Sequence, residues 1–139
     1  LILIKKTIHL IKISEMKKLL NFCKNALSRH GQIIILTLDP NKNQIPTFAL
    51  MAEKLKIAHK KDQKILNTIS KFYPRRKIKK FIFDVKISKR KYLEMIKDRY
   101  ISTLLNFKSK EISEGIEEVN LKYKKILKFK DKLQCIIIR

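Results

Sequence analysis

Apolar positions along the chain change period several times, and each change marks an element. Leu1 to Ile8 is a short apolar run holding Lys5 and Lys6, and it predicts a strand with His9 at its end. Ser14 is then a candidate helix cap with Glu15 beside it. Met16, Leu19, Leu20, Cys23, Ala26 and Leu27 form one stripe at helical spacing. Arg29 and His30 suit the negative end of that helix, and Gly31 reads as its left-handed stop. Ile33 to Leu38 has no polar alternation before Thr37, the pattern of a strand covered on both faces. Asp39-Pro40-Asn41 is expected to turn the chain, closing a strand–helix–strand unit.

The middle of the chain predicts two helical pieces. One holds Phe48, Leu50, Met51, Leu55 and Ile57; the other holds Ile65, Leu66, Ile69 and Phe72, with a break expected at Lys60-Lys61-Asp62-Gln63. Pro74 ends the helical pattern, because the residue before proline is pushed out of helical geometry. Ile78, Phe81, Phe83, Val85 and Ile87 approximate a two-residue period and predict a strand. Ser88 can cap the next helix, whose stripe is Tyr92, Leu93, Met95, Ile96 and Tyr100 with Arg99 at its border. Ser102 and Thr103 interrupt that stripe and Phe107 ends it. A further helix starts at Ser109, with Glu111 and Glu114 in its first turns and Ile112, Ile116, Val119 and Tyr123 along it. Residues 126–138 read as two strand-like halves separated by Lys130-Asp131-Lys132.

Composition changes this picture in two ways. The 139 residues carry a formal charge of +22, a field that attracts polyanions such as nucleic acid or an anionic membrane. The excess of Lys over Arg, the dominance of Ile and the shortage of Gly also match an AT-rich coding bias, and this plainer explanation is preferred. Cys23 and Cys135 have no metal-type spacing and read as buried reduced thiols in preference to a disulfide, which suggests a cytoplasmic protein. No run approaches the length of a membrane span, and three scattered histidines with no paired ligands predict no metal site.

Arg99 to Phe107, with the following Ser109 to Val119, resembles the C-terminal cap of a family of class I S-adenosylmethionine-dependent methyltransferases. In that family a helix ends in an Arg-aromatic-x-Ser-x-Leu segment, and an acidic helix with a Gly-Ile pair follows. Leu3 to His9 is similar to the family's fourth strand, although Leu10 stands where a second histidine is usual. Ala26 to Gln32 resembles a helix-to-strand turn from which a proline and one glycine have been lost. Phe129 to Leu133 resembles the start of the closing strand.

The resemblance implies an α/β fold: the C-terminal half of a Rossmann-like methyltransferase sheet, mostly parallel, with the last strand antiparallel and inserted next to the middle. Residues 1–87 and 124–139 would form the core of one partial domain, and 88–123 a helical cap insert. It implies S-adenosylmethionine as cofactor and a small-molecule or lipid-like methyl acceptor. His9 would act as base or positioning group, and Arg99, Tyr100, Ser102 and Asp39 would bind substrate. Plainer roles stand beside these: a structural histidine for His9, turn chemistry for Asp39, and anchoring of the cap for Arg99, Tyr100, Ser102 and Thr103.

The chain departs from the family in one large respect. Gly31 and Gly115 are its two glycines, so the Gly-rich turn that lets backbone approach the cofactor is absent. The chain alone is then expected to be inactive. Two other readings stand beside it: a non-catalytic basic α/β module that binds nucleic acid, and a degenerate remnant that folds poorly or serves only as an interaction surface. If a neighbouring strand is missing, the first strand keeps a free apolar edge. Self-association in sedimentation at high protein concentration is the expected outcome, and a monomer would count against it.

Overall fold

The computed structural model describes residues 1–39 and 44–139. Its elements are β1 (Ile2–Lys5), α1 (Ile13–Asn25), β2 (Ile33–Leu38), α2 (Ala49–Phe72), β3 (Lys77–Ser88), α3 (Lys89–Lys97), α4 (Ser109–Lys122) and β4 (Ile126–Ile138). Short 3-10 turns occupy Ile8–Leu10 and Ser102–Asn106. The four strands form one mixed α/β sheet in the order β1-β2-β4-β3. β1 and β2 are its parallel pair; the other neighbours are antiparallel. Pairing is therefore mostly antiparallel, although β1, β2 and β3 share a direction and only β4 opposes them.

The chain divides into two compact units. The first comprises Leu1–Asn43, Lys60–Ile82 and Lys132–Arg139. Its sheet rows follow from register: Ile2, Ile33 and Ile138 lie abreast, as do Ile4, Ile35 and Ile136. Side chains alternate across a strand, so these six share a face. Met16, Leu20 and Cys23 of α1 and Ile65, Leu66 and Ile69 of α2 close the core over that face. Burying each large side chain is worth about 1.5–3 kcal/mol. Cys23 and Cys135 are both free and buried. The outermost strand, β1, has a single neighbour, and Leu1 and Leu3 on its other face are exposed.

The second unit comprises Gln44–His59 and Phe83–Asp131. Phe48, Met51 and Leu55 from the start of α2 pack with Tyr92 and Ile96 of α3, Leu104 and Phe107 of the elbow, Ile112 and Val119 of α4, and Leu127. Ser88 caps α3 as its sequence position predicts, its hydroxyl accepting from Lys91 N at 3.3 Å. At the start of α4 the Glu111 carboxylate accepts from Lys108 N at 2.6 Å.

Several expectations are corrected. The first strand stops at Lys5 because Lys6 takes a positive φ of 53°, which ends the pleat and turns Ile8 into the core. Ser14 is not the cap of α1; the helix begins at Ile13 behind Lys12. That helix ends at Asn25, well before Gly31, and no glycine has a positive φ. Gly31 is required for its size: a Cβ there would lie 2.8 Å from the Cβ of Leu27. The expected break at Lys60–Gln63 is helix within α2, since Lys, Asp and Gln carry only small helix penalties. The closing strand is one element, Ile126–Ile138, with no interruption at Lys130–Lys132. Of the predicted turn, Pro40 and Asn41 lie outside the described residues.

Candidate functional site

In the first unit the parallel pair ends at Lys5 on β1 and, in register, at Leu36 on β2. His9 lies four residues beyond one end, half-buried in the 3-10 turn, and Asp39 lies just beyond β2. Both therefore follow the carboxyl ends of parallel strands, where open α/β sheets place ligands. Asp39 is 4% exposed, and its N–H donates to the Lys132 carbonyl at 2.9 Å. Its carboxylate faces Lys80 Nζ at 3.6 Å, a pairing that offsets part of the cost of burying the charge.

The cap residues belong to the second unit, and there the structure brings Arg99, Tyr100 and Ser102 into one elbow. α3 ends in a Schellman motif: Tyr100 N donates to Met95 O at 3.1 Å, and Arg99 N to Ile96 O at 2.9 Å. This puts Arg99 at the left-handed position with φ 54°, where glycine is the usual residue. Its guanidinium then turns onto the elbow backbone, with Nη1 donating to the carbonyls of Leu105 at 3.1 Å and Phe107 at 2.6 Å. The strain is thus offset by closing the 3-10 turn. Ser102 opens that turn with its side chain exposed.

Arg99 therefore supports the elbow it stands in, and its two contributions separate by mutation. Arg99→Ala is expected to cost about 2–3 kcal/mol, because charge-assisted bonds are lost and carbonyls are left unpaired. Arg99→Gly loses the same bonds but relieves the positive φ, and should be less destabilised by about 1 kcal/mol. Urea unfolding of the two variants checks the order.

Tyr100 points inward. Tyr92 Oη donates to the Pro46 carbonyl at 2.5 Å, and the Tyr100 hydroxyl lies 3.1 Å from it. Tyr92 has one proton and gives it to Pro46, so Tyr100 is the donor between the two hydroxyls. Phe129 packs edge-on to Tyr92 at 6.3 Å. Burial raises the pKa of both tyrosines; the neighbouring Tyr100 adds to the effect at Tyr92, while at Tyr100 the hydrogen bond with Tyr92 works against the rise and Asp131 adds to it.

The segment leading into α2 is held by residues that periodicity alone did not single out as functional. Tyr123 Oη accepts from Thr47 N at 3.0 Å and lies 3.1 Å from its carbonyl. Both Glu118 carboxylate oxygens accept from Ala49 N, at 2.9 and 3.0 Å, covering a free donor at the helix start. Beside this segment runs an open groove of about 590 Å³ bordered by Gln44, Pro46, Lys122, Tyr123, Lys124 and Lys128. Tyr123 reads in sequence as one more apolar position; the polar use of its hydroxyl depends on a partner 76 residues away.

Among the described residues no group of three or more His, Cys, Asp or Glu could hold a metal, and no helix is long and apolar enough to cross a membrane. No protein-family model matches the chain, and no curated protein matches it at a meaningful level of similarity.

Proposed function

We propose that this chain is the substrate-side part of an S-adenosylmethionine-dependent methyltransferase acting on a small-molecule or lipid-like acceptor, in the cytoplasm. The observation that carries this reading is the strand order. The family leads one to expect an antiparallel last strand set inside the sheet after a helical insert. β4 runs antiparallel to β2, lies between β2 and β3, and follows β3 through α3, the elbow and α4. Within the first unit, His9 and Asp39 beyond the strand ends are the residues proposed to meet the acceptor.

The residues present do not fit the methyl donor itself. Gly31 packs on Leu27 and Gly115 on the Phe48 ring, and neither opens a backbone cradle for a nucleotide. Donor binding is therefore assigned to residues outside this chain. The donor product S-adenosylhomocysteine, titrated calorimetrically into this chain alone, is expected to give no binding heat. The coding sequence preceding the Leu1 codon is expected to specify a strand followed by a Gly-rich turn, and the joined polypeptide to bind the same compound. A preceding sequence without that turn, or a joined protein that leaves the compound unbound, would overturn the proposal.

A further inference from the structure

Apart from Lys80, which pairs with Asp39, the first half of β3 has no role in the site described above. Its residues from Lys77 onward are exposed, and as the terminal strand of the sheet it has one neighbour. Alternation puts Lys77, Lys79 and Phe81 on one side of the strand. Phe81 is 43% exposed, an aromatic ring on the same side of the strand as two lysines. The chain enters this strand through Arg75 and Arg76. Arg76 Nε is buried without a hydrogen-bond partner, and its Nη1 has only 3.5 Å contacts to the carbonyls of Tyr73 and Pro74. Lys80, on the opposite side, is taken up by Asp39, whereas Lys77 and Lys79 form no ion pair among the described residues.

We propose that this strip of the first unit binds single-stranded nucleic acid, with Phe81 stacking on an unpaired base and Arg75, Lys77 and Lys79 contacting phosphates. Side chains two residues apart on a strand recur about every 6.6 Å, comparable to one nucleotide of an extended strand. Stacking tolerates any base, because each presents a π-face, so the recognition is of strandedness rather than sequence. A duplex offers no unstacked base for the ring to receive. The net charge of +22 supplies the long-range attraction. This assignment does not depend on the methyltransferase reading.

The test is fluorescence anisotropy with the full chain and labelled oligouridylate, oligothymidylate and a duplex of equal length, between about 50 and 200 mM salt. Tighter binding to both single strands than to the duplex is expected; preference for one of them would identify RNA or DNA as the ligand. Phe81→Ala and Phe81→Leu should each weaken binding roughly tenfold, while Phe81→Trp retains it. Removing Lys77 and Lys79 together should lower the slope of log affinity against log salt by about 0.7 per contact. Because these side chains are exposed, the variants are expected to keep the parent circular dichroism and unfolding curve. Unchanged binding by Phe81→Leu, equal affinity for the duplex, or binding to phosphatidylserine vesicles in place of oligonucleotides would overturn the assignment.

Discussion

Replacing Gly115 with alanine is expected to destabilise the second unit, although alanine is the better helix former. Gly115 lies inside α4, and a Cβ at that position would stand 2.7 Å from three carbons of the Phe48 ring. That ring is buried and edge-packed on Phe107 at 5.7 Å, so it has little room to withdraw. Overpacking of this kind typically costs about 1–3 kcal/mol. The higher helix propensity of alanine offsets up to about 1 kcal/mol. A net loss of up to about 2 kcal/mol follows, and valine at the same position should cost more. Phe48→Leu removes the ring wall, so the Gly115→Ala penalty should largely vanish in that background. Chemical unfolding of the four proteins measures the coupling. Additive losses would mean that contact with Phe48 does not explain the glycine.

The order of elements was legible because each carries its own hydrophobic period. The Ile33–Leu38 run, the Met16–Leu20–Cys23 stripe and the Ser88 cap all lie where the sequence placed them. The order of strands in the sheet was not written in any period; it was expected only from the likeness of the Arg99–Val119 segment to a family. What stayed hidden were conformations that side-chain type does not announce. Gly31 suggested a left-handed stop, but crowding by Leu27 is what requires it. Among the described residues the left-handed ones other than glycine are Lys6 and Arg99, neither of a type that prefers that region. Lys60–Gln63 suggested a break because it lacks apolar residues, yet a solvated helix turn needs none. The fate of Arg99 was also out of reach: the resemblance implied a substrate contact, while its left-handed backbone turns it onto the carbonyls of Leu105 and Phe107. The strip at Arg75–Phe81 was hidden by the evenness of the charge, since lysines occur along the whole chain and only the fold shows which share a side of a strand with an exposed ring.

The second large effect is expected at alkaline pH. Tyr92 is buried with its proton committed to Pro46, and Tyr100 donates to Tyr92; burial raises both pKa values above the ordinary 10.0. Tyrosine is neutral when protonated, so the folded state holds these protons after the unfolded chain has released them. The stability they contribute is therefore fully present below pH 10 and is lost as pH rises from there toward the folded values. Each tyrosine steepens the loss by up to about 1.4 kcal/mol per pH unit, and the pair by up to about 2.7. Other groups also contribute to the alkaline pH dependence of any protein's stability. The tyrosine contribution must therefore be taken by difference. Tyr92→Phe should cost about 1–2 kcal/mol at neutral pH, because the Pro46 carbonyl loses its donor. Above pH 10 the variant should fall less steeply than the parent, so that the two stability curves converge. Urea unfolding across this pH range, with tyrosinate absorbance followed in parallel, checks both parts. Parallel curves, or ionisation of Tyr92 while the protein remains folded, would show that this hydroxyl is not held as the structure describes.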